Sequence, residues 1–121
     1  MQTDLITTVY YNSACPVCDA GICKQRARML DSNVDWVDVH AQPEVAAQLG
    51  IDLETLRERL HVADARGVMQ VGDLALAELA SQTRGQKFLA CTLRRFHFLT
   101  GPVYNLFARY LYRWNRKRGH W

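Results

Sequence analysis

No acidic residue follows Glu78 in this 121-residue chain. All 12 Asp and Glu lie between Asp4 and Glu78. Residues 1–83 set 6 Lys and Arg against those acids, a net of −6, whereas residues 84–121 carry 9 basic side chains and no acid, a net of +9, behind a formal total of +3. Proline is scarce, at 3 residues, and none lies between Pro43 and Pro102, so no Pro-rich linker divides the sequence. No apolar run approaches the roughly 18 residues of a membrane span. The opening MQTDLITTVYYNS offers neither a basic stretch followed by an apolar run nor a small-residue cleavage site. A soluble cytoplasmic protein is the expectation. At 49% hydrophobic residues, the chain has enough apolar material for one core and too little length for two, so a single domain over 1–121 is expected.

Leu5 to Tyr11 is rich in β-branched and aromatic residues and stops at Asn12-Ser13, which reads as a strand entering a loop. Pro16 suits a first helical turn, and a helix to about Leu30 follows, with Ile22, Met29 and Leu30 on one side. Asp31-Ser32-Asn33 breaks it before a second strand, Val34 to Val39. A β-α-β order favours parallel pairing through a right-handed crossover. Pro43–Leu49 and Asp52–Leu60 read as short helices, the first ended by Gly50 and the second capped by Asp52. Leu60–Ala63 and Val68–Val71 flank the turn Asp64-Ala65-Arg66-Gly67 as an antiparallel hairpin. Asp73 then caps a helix through about Thr83, ended by Gly85. The resulting order, β-α-β-(α)-β-β-α, is that of a thioredoxin core. Its fold class is α/β, a central mixed sheet flanked by helices.

Residues 86–121 read as a basic helical segment appended to this core. Val103, Leu106, Phe107, Tyr110, Leu111 and Trp114 recur at helical spacing just after Gly101-Pro102, and this stripe is expected to pack on the domain.

The chemistry centres on Cys15-Pro16-Val17-Cys18. A cysteine at a helix N-terminus faces unpaired backbone N–H groups and the positive end of the helix dipole, both of which favour the thiolate. Cys15 is then the nucleophile, the more exposed and more acidic of the pair, and Cys18, one turn further on, resolves the mixed disulfide. Pro16 has no N–H, so the amides of Val17 and Cys18 carry the stabilisation. Asp19 in the first turn favours the helix and opposes a nearby thiolate. Metal binding competes for the same motif, because Cys23 and Cys91 and four histidines (His40, His61, His97, His120) offer further ligands. Against it, Cys23 lies about 140° around the helix from Cys18. Cys23 and Cys91 read as buried small hydrophobes, and His61 and His97 as structural.

The run Tyr11-Asn12-Ser13-Ala14-Cys15-Pro16-Val17-Cys18 resembles the Tyr-Asp-Gly-x-Cys-x-x-Cys pattern of the DCC-family thiol–disulfide oxidoreductases, members of the thioredoxin-like superfamily. Leu60 to Gly67 and the Tyr104–Arg109 stretch match weaker family features. The resemblance implies dithiol–disulfide exchange at Cys15 and Cys18, supported by an active-site loop of Asn12, Ser13, Pro16 and Val17. Asn12 and Ser13 replace the family's Asp and Gly. Thioredoxins also set a cis-proline opposite their cysteines; here either the backbone around Arg59 to His61 does the same work without proline, or substrate binding differs from that of thioredoxin.

Two classes of function follow, with a Cys-ligated metal-binding domain as a third. As an enzyme, the chain acts on disulfides of proteins or small molecules, needs no bound cofactor and no metal, and is regenerated by an external thiol reductant. As a binding module, it presents Arg109, Arg113, Arg116, Lys117 and Arg118, interleaved with Tyr110, Tyr112, Trp114 and Trp121, to an anionic membrane surface or, less in keeping with the rest, nucleic acid.

Overall fold

A computed structural model of the protein describes residues 7–28, 34–64, 66–82 and 86–119. Its first strand, β1 (Thr7–Tyr11), alternates its side chains between the two faces of a sheet. Val9 and Tyr11 face one core, with Ile22, Val62, Ala75 and Leu79, while Tyr10 faces the other, with Val39, Ala46 and Leu56. The chain then enters α1 (Pro16–Arg28) and returns as β2 (Val34–Asp38), parallel to β1 with Tyr11 opposite Asp38. The expected strand residues Leu5 and Ile6, and the expected helix end and break from Met29 to Asn33, lie outside the described residues.

Two short helices, α2 (Val45–Leu49) and α3 (Leu53–Glu58), cover the second core. Gly50 ends α2 in the left-handed region at φ 71°, as its position predicts, but Asp52 at the start of α3 makes no side-chain capping bond. Strands β3 (His61–Ala63) and β4 (Met69–Val71) form the expected antiparallel hairpin. The Asp64 carboxylate closes it by accepting the backbone N–H groups of Arg66 and Val68. The sheet order is β2-β1-β3-β4, with β3 antiparallel to β1. Together with the flanking helices it makes the expected thioredoxin-like α/β fold.

Helix α4 (Asp73–Ser81) starts at Gly72, so Asp73 is the first helical residue and not the cap. Its expected end, Thr83 to Gly85, lies outside the described residues. The Asp73 carboxylate instead meets His97 Nδ1 at 2.7 Å and accepts the Thr100 hydroxyl at 2.7 Å. That grip ties α4 to the last helix, α6 (His97–Arg118), which follows α5 (Lys87–Arg95).

Helix α6 departs from the sequence reading in two ways. It begins before Pro102 and runs through it, so one intrahelical hydrogen bond is given up close to the N-terminus, where Asp73 holds His97 and Thr100. Its packed face is only in part the apolar stripe, of which Leu111 and Trp114 are half-buried. Gly101, Ala108 and Asn115 are buried, whereas Val103, Leu106 and Tyr110 are 67%, 71% and 68% exposed and Phe107 is more than half exposed. Small residues let the helix approach the domain closely. A Cβ on Gly72, whose φ is +72°, would stand 3.3 Å from the Tyr104 ring of α6, and one on Gly101 would stand 3.7 Å from Asp73 Oδ1 of α4 and 3.0 Å from the ring of His97, one turn back in α6 itself. None of the described helices is long and apolar enough to cross a membrane.

Candidate active site

The loop between β1 and α1 is shaped by backbone demands before any chemistry enters. Asn12 is buried, and its Oδ1 accepts the Ala14 N–H at 3.0 Å, while its own carbonyl accepts the Cys15 N–H at 3.3 Å. Ser13 donates its N–H to Asp38 Oδ1 at 3.1 Å, and the same oxygen accepts the His40 N–H at 3.0 Å. Burial pushes the Asp38 carboxyl up, but the hydrogen bonds from Ser13, His40 and Ala41 outweigh it and hold it below the usual carboxylate range. Asp38 thus anchors the cysteine loop from the neighbouring strand. Sequence reasoning passed over it, although the parallel register that sets Asp38 beside Tyr11 was its signal.

Where the loop becomes helix α1, Cys15 and Cys18 are brought together as free thiols. The Cys18 N–H points at Cys15 Sγ, 3.3 Å away. Four donors converge on that sulfur. The strongest effect is the hydrogen bond from the Cys18 thiol; burial works against it; the backbone N–H of Cys18, the side chain of Asn115 and the backbone N–H of Val17 add to it. The outcome is a Cys15 thiol lowered from 9.0 to about 6. Cys18 moves the opposite way. Its hydrogen bond to Cys15, its burial and the Cys15 charge all raise it far above the ordinary thiol range, and Asp19 raises it further. The pair is electrostatically asymmetric: one sulfur is readied as a thiolate and its neighbour is held protonated.

Two sequence expectations need correction here. Cys15 is the more acidic cysteine but not the more exposed one. It is 1% exposed, while Cys18 is only half-buried, and the Asn115 side chain of α6 reaches the Cys15 sulfur. Asn115 is itself buried and donates through Nδ2 to the Leu111 carbonyl at 3.0 Å, which fixes its amide along α6. Cys23 and Cys91, read as buried hydrophobes, are both exposed. Pro16 and Val17 stand outward on the first turn of α1, Val17 half exposed.

The segment opposite the cysteines is held without proline. Leu60 donates its N–H to the Tyr104 hydroxyl at 3.2 Å, a bond that proline could not make. His61 is buried with Nδ1 3.0 Å from the Arg59 carbonyl. Burial lowers its pKa, which keeps the ring neutral in the structural role the sequence gave it. Among the described residues, no group of three His, Cys, Asp or Glu side chains comes together to hold a metal ion.

The basic C-terminal segment meets part of the acidic remainder. Arg94 pairs with Glu78 at 3.1 Å and Arg116 with Glu54 at 3.5 Å. Tyr112 also donates its hydroxyl to Glu54, which is ion-paired with Arg57. These contacts seat the end of α6 on α3 and so help carry Asn115 to the cysteine loop. Trp121 lies outside the described residues.

Neither a curated protein nor a solved structure gives a significant match to the chain. A family model does, that of the DCC1-like thiol-disulfide oxidoreductases, over residues 9–117. This span runs from β1 through the cysteine pair to the last turns of α6, and the chain belongs to the DCC1-like thiol-disulfide oxidoreductase family.

Proposed function

We propose that the protein is a dithiol–disulfide oxidoreductase in which Cys15 attacks and Cys18 resolves. The observation that carries this reading is the pair of free thiols at the start of α1, with the Cys18 N–H 3.3 Å from Cys15 Sγ, an arrangement that lowers the Cys15 thiol and raises that of Cys18. In the first step the Cys15 thiolate attacks one sulfur of a substrate disulfide. A mixed disulfide forms, and the substrate's other sulfur leaves as a thiolate that takes up a proton. Cys18 then gives up its proton and attacks the Cys15 sulfur, which releases the second substrate thiol. The substrate has gained two electrons and two protons, and the protein holds a Cys15–Cys18 disulfide. An external thiol reductant restores the dithiol, and the same steps run in reverse oxidise a substrate dithiol. No bound cofactor enters.

The test is a redox titration in glutathione buffers, read by mass after thiol alkylation, with metal content measured on the same sample. A reversible two-electron couple confined to Cys15 and Cys18, absent in Cys15→Ser, is the expected result. Thiols that stay reduced throughout, or oxidation confined to Cys23 and Cys91, would overturn the reading.

A second activity is favoured by the outward apolar face of α6. Leu106 and Tyr110 stand exposed on a helix that also carries Arg109, Arg113 and Arg116, the composition of a helix lying on an anionic lipid surface. Sedimentation with vesicles containing phosphatidylserine, lost at high salt and in Leu106→Asp, is the outcome this reading requires. Equal recovery with neutral vesicles would refute it.

A further inference from the structure

A cavity of about 220 Å³ opens beside the cysteine pair, between α1, the α3–β3 connection and α6. Ile22, Leu56, Leu60, Leu79 and Leu111 line it, and Cys18 lies on its rim. Its apolar wall continues outward through Val17, half exposed, and Phe107, more than half exposed, so a hydrocarbon reaches it over hydrocarbon.

Charge on this wall is balanced within the fold. Glu58 pairs with Arg59 at 3.5 Å, and Arg57 pairs with Glu54. Gln25 donates its amide to Gln86 Oε1 at 2.9 Å. A carboxylate or an ammonium entering the cavity would lose its hydration and find no unpaired counter-ion, a cost that a neutral molecule avoids.

An extended polypeptide is a poor fit on other grounds. Strand addition needs free main-chain donors, and those opposite the cysteines are in use. Arg59 gives its N–H to the Thr55 carbonyl at 3.2 Å, and Leu60 gives its N–H to the Tyr104 hydroxyl at 3.2 Å. The Leu60 carbonyl accepts the Gly72 N–H at 2.9 Å, and His61 is already paired in the sheet between β1 and β4. What remains for recognition is the hydrocarbon wall itself. The volume lies between the roughly 150 Å³ of an apolar cavity that takes up benzene and the roughly 300 Å³ at which drug-sized sites begin. A single ring or a short alkyl chain fits.

We infer that the cavity binds the body of a small, neutral, apolar disulfide, with its sulfurs toward the cysteine pair. This deepens the oxidoreductase reading and rests on it for the disulfide; the neutral hydrocarbon body rests on the cavity alone. In the reaction the disulfide takes two electrons and two protons from Cys15 and Cys18 and leaves as two thiols. The protein keeps the Cys15–Cys18 disulfide until an external thiol reduces it.

The body is tested without redox chemistry, by calorimetric titration of octan-1-ol into the Cys15→Ser/Cys18→Ser protein. Saturable binding is expected, weaker by at least tenfold for octanoate and for octylamine, which share the chain and add a charge. Gly21→Leu in the same background should abolish it, because Gly21 lines the cavity from within α1 and a Cβ there meets nothing within 4 Å. Leucine is also the better helix former, so the fold is retained, and an unlowered Tm checks this; the three-ligand series needs no cavity variant. Leu106→Asp, on the exposed face of α6 outside the cavity, should leave binding unchanged. No binding of octan-1-ol, equal binding of all three ligands, or loss in Leu106→Asp but not in Gly21→Leu overturns the inference. In the wild-type protein, dipropyl disulfide is expected to exceed both cystamine and the polypeptide disulfides of insulin at least tenfold in kcat/KM, and the reverse order overturns the assignment of substrate. A normal Cys15–Cys18 couple without octan-1-ol binding defeats this inference alone. Octan-1-ol binding with no couple upholds the ligand body and defeats the oxidoreductase reading.

Discussion

Replacing Asn115 by alanine removes one donor from the Cys15 sulfur and leaves the other three in place. The gap between an ordinary thiol at 9.0 and Cys15 at about 6 corresponds to about 4 kcal/mol of preference for the thiolate, at about 1.4 kcal/mol for each pH unit. That preference is what remains after burial has opposed it, and Asn115 supplies one of four contributions, behind those of the Cys18 thiol and the Cys18 N–H. Its share is then about 1–2 kcal/mol, in the range of a single hydrogen bond to a charged group. Cys15 in Asn115→Ala should titrate about one pH unit higher, near 7. At pH 6 the thiolate fraction falls from about one half to about one tenth, and alkylation by iodoacetamide should slow about fivefold. Well above that pH both proteins are fully ionised, and the variant should react at least as fast, because the side chain that covered the sulfur is gone. The assay is the pH dependence of alkylation in a Cys23→Ser/Cys91→Ser background, checked by the ultraviolet absorbance of the thiolate. Asn115→Asp, which sets a carboxylate beside the sulfur, should raise the midpoint further. An unchanged midpoint in both variants would show that α6 contributes nothing to the thiolate.

Stability should follow the same titration. Cys15 is an acid whose folded value, about 6, lies below its ordinary 9.0, so between those values the unfolded chain binds more protons. Its contribution is complete above pH 9 and is lost as the pH falls through 6. Cys18 is shifted upward, so its contribution is present at neutral pH and is lost as the pH rises past 9. The Tm of the reduced wild-type protein, measured against that of Cys15→Ser, should therefore climb from pH 6 to pH 9; a constant difference would refute the thiolate assignment. Asp73→Ala deletes the bonds to His97 and Thr100 at once and should destabilise by roughly 1–3 kcal/mol in urea unfolding. Combined with His97→Ala it should be non-additive by at least about 0.5 kcal/mol, whereas strict additivity would mean that the two side chains do not act together.

The strand–helix–strand opening, the hairpin and the position of the cysteine motif were legible because each is written in local chemistry. β-branched runs, Gly50 and the turn around Asp64 act over a few residues. What stayed hidden is relational. The stripe Val103-Leu106-Tyr110 has the spacing of a buried helix face, yet burial depends on what stands opposite. Here the small side chains of Gly101 and Ala108 permit the closer approach, so the opposite face went inward. Cys15 has every local reason to be acidic, but one of its donors, Asn115, comes from a helix near the other end of the chain. Asn115 carries no sequence signal of its own, since a lone asparagine within a basic helix reads as solvated. Asp38 was recoverable, because pairing β2 with β1 in parallel puts the end of one strand next to the loop that leaves the other.

The placement of Asn115 bears on the birth of the protein. It lies 100 positions along the chain from Cys15, a contact of the kind that forms late because so much loop must be closed first. As the polypeptide emerges, the strand, the cysteine motif and the hairpin can assemble while α6 is still being synthesised. Until that last helix docks, Cys15 lacks one of its donors. The nascent chain thus carries a less acidic thiol, and only the finished molecule holds one with its full set of donors.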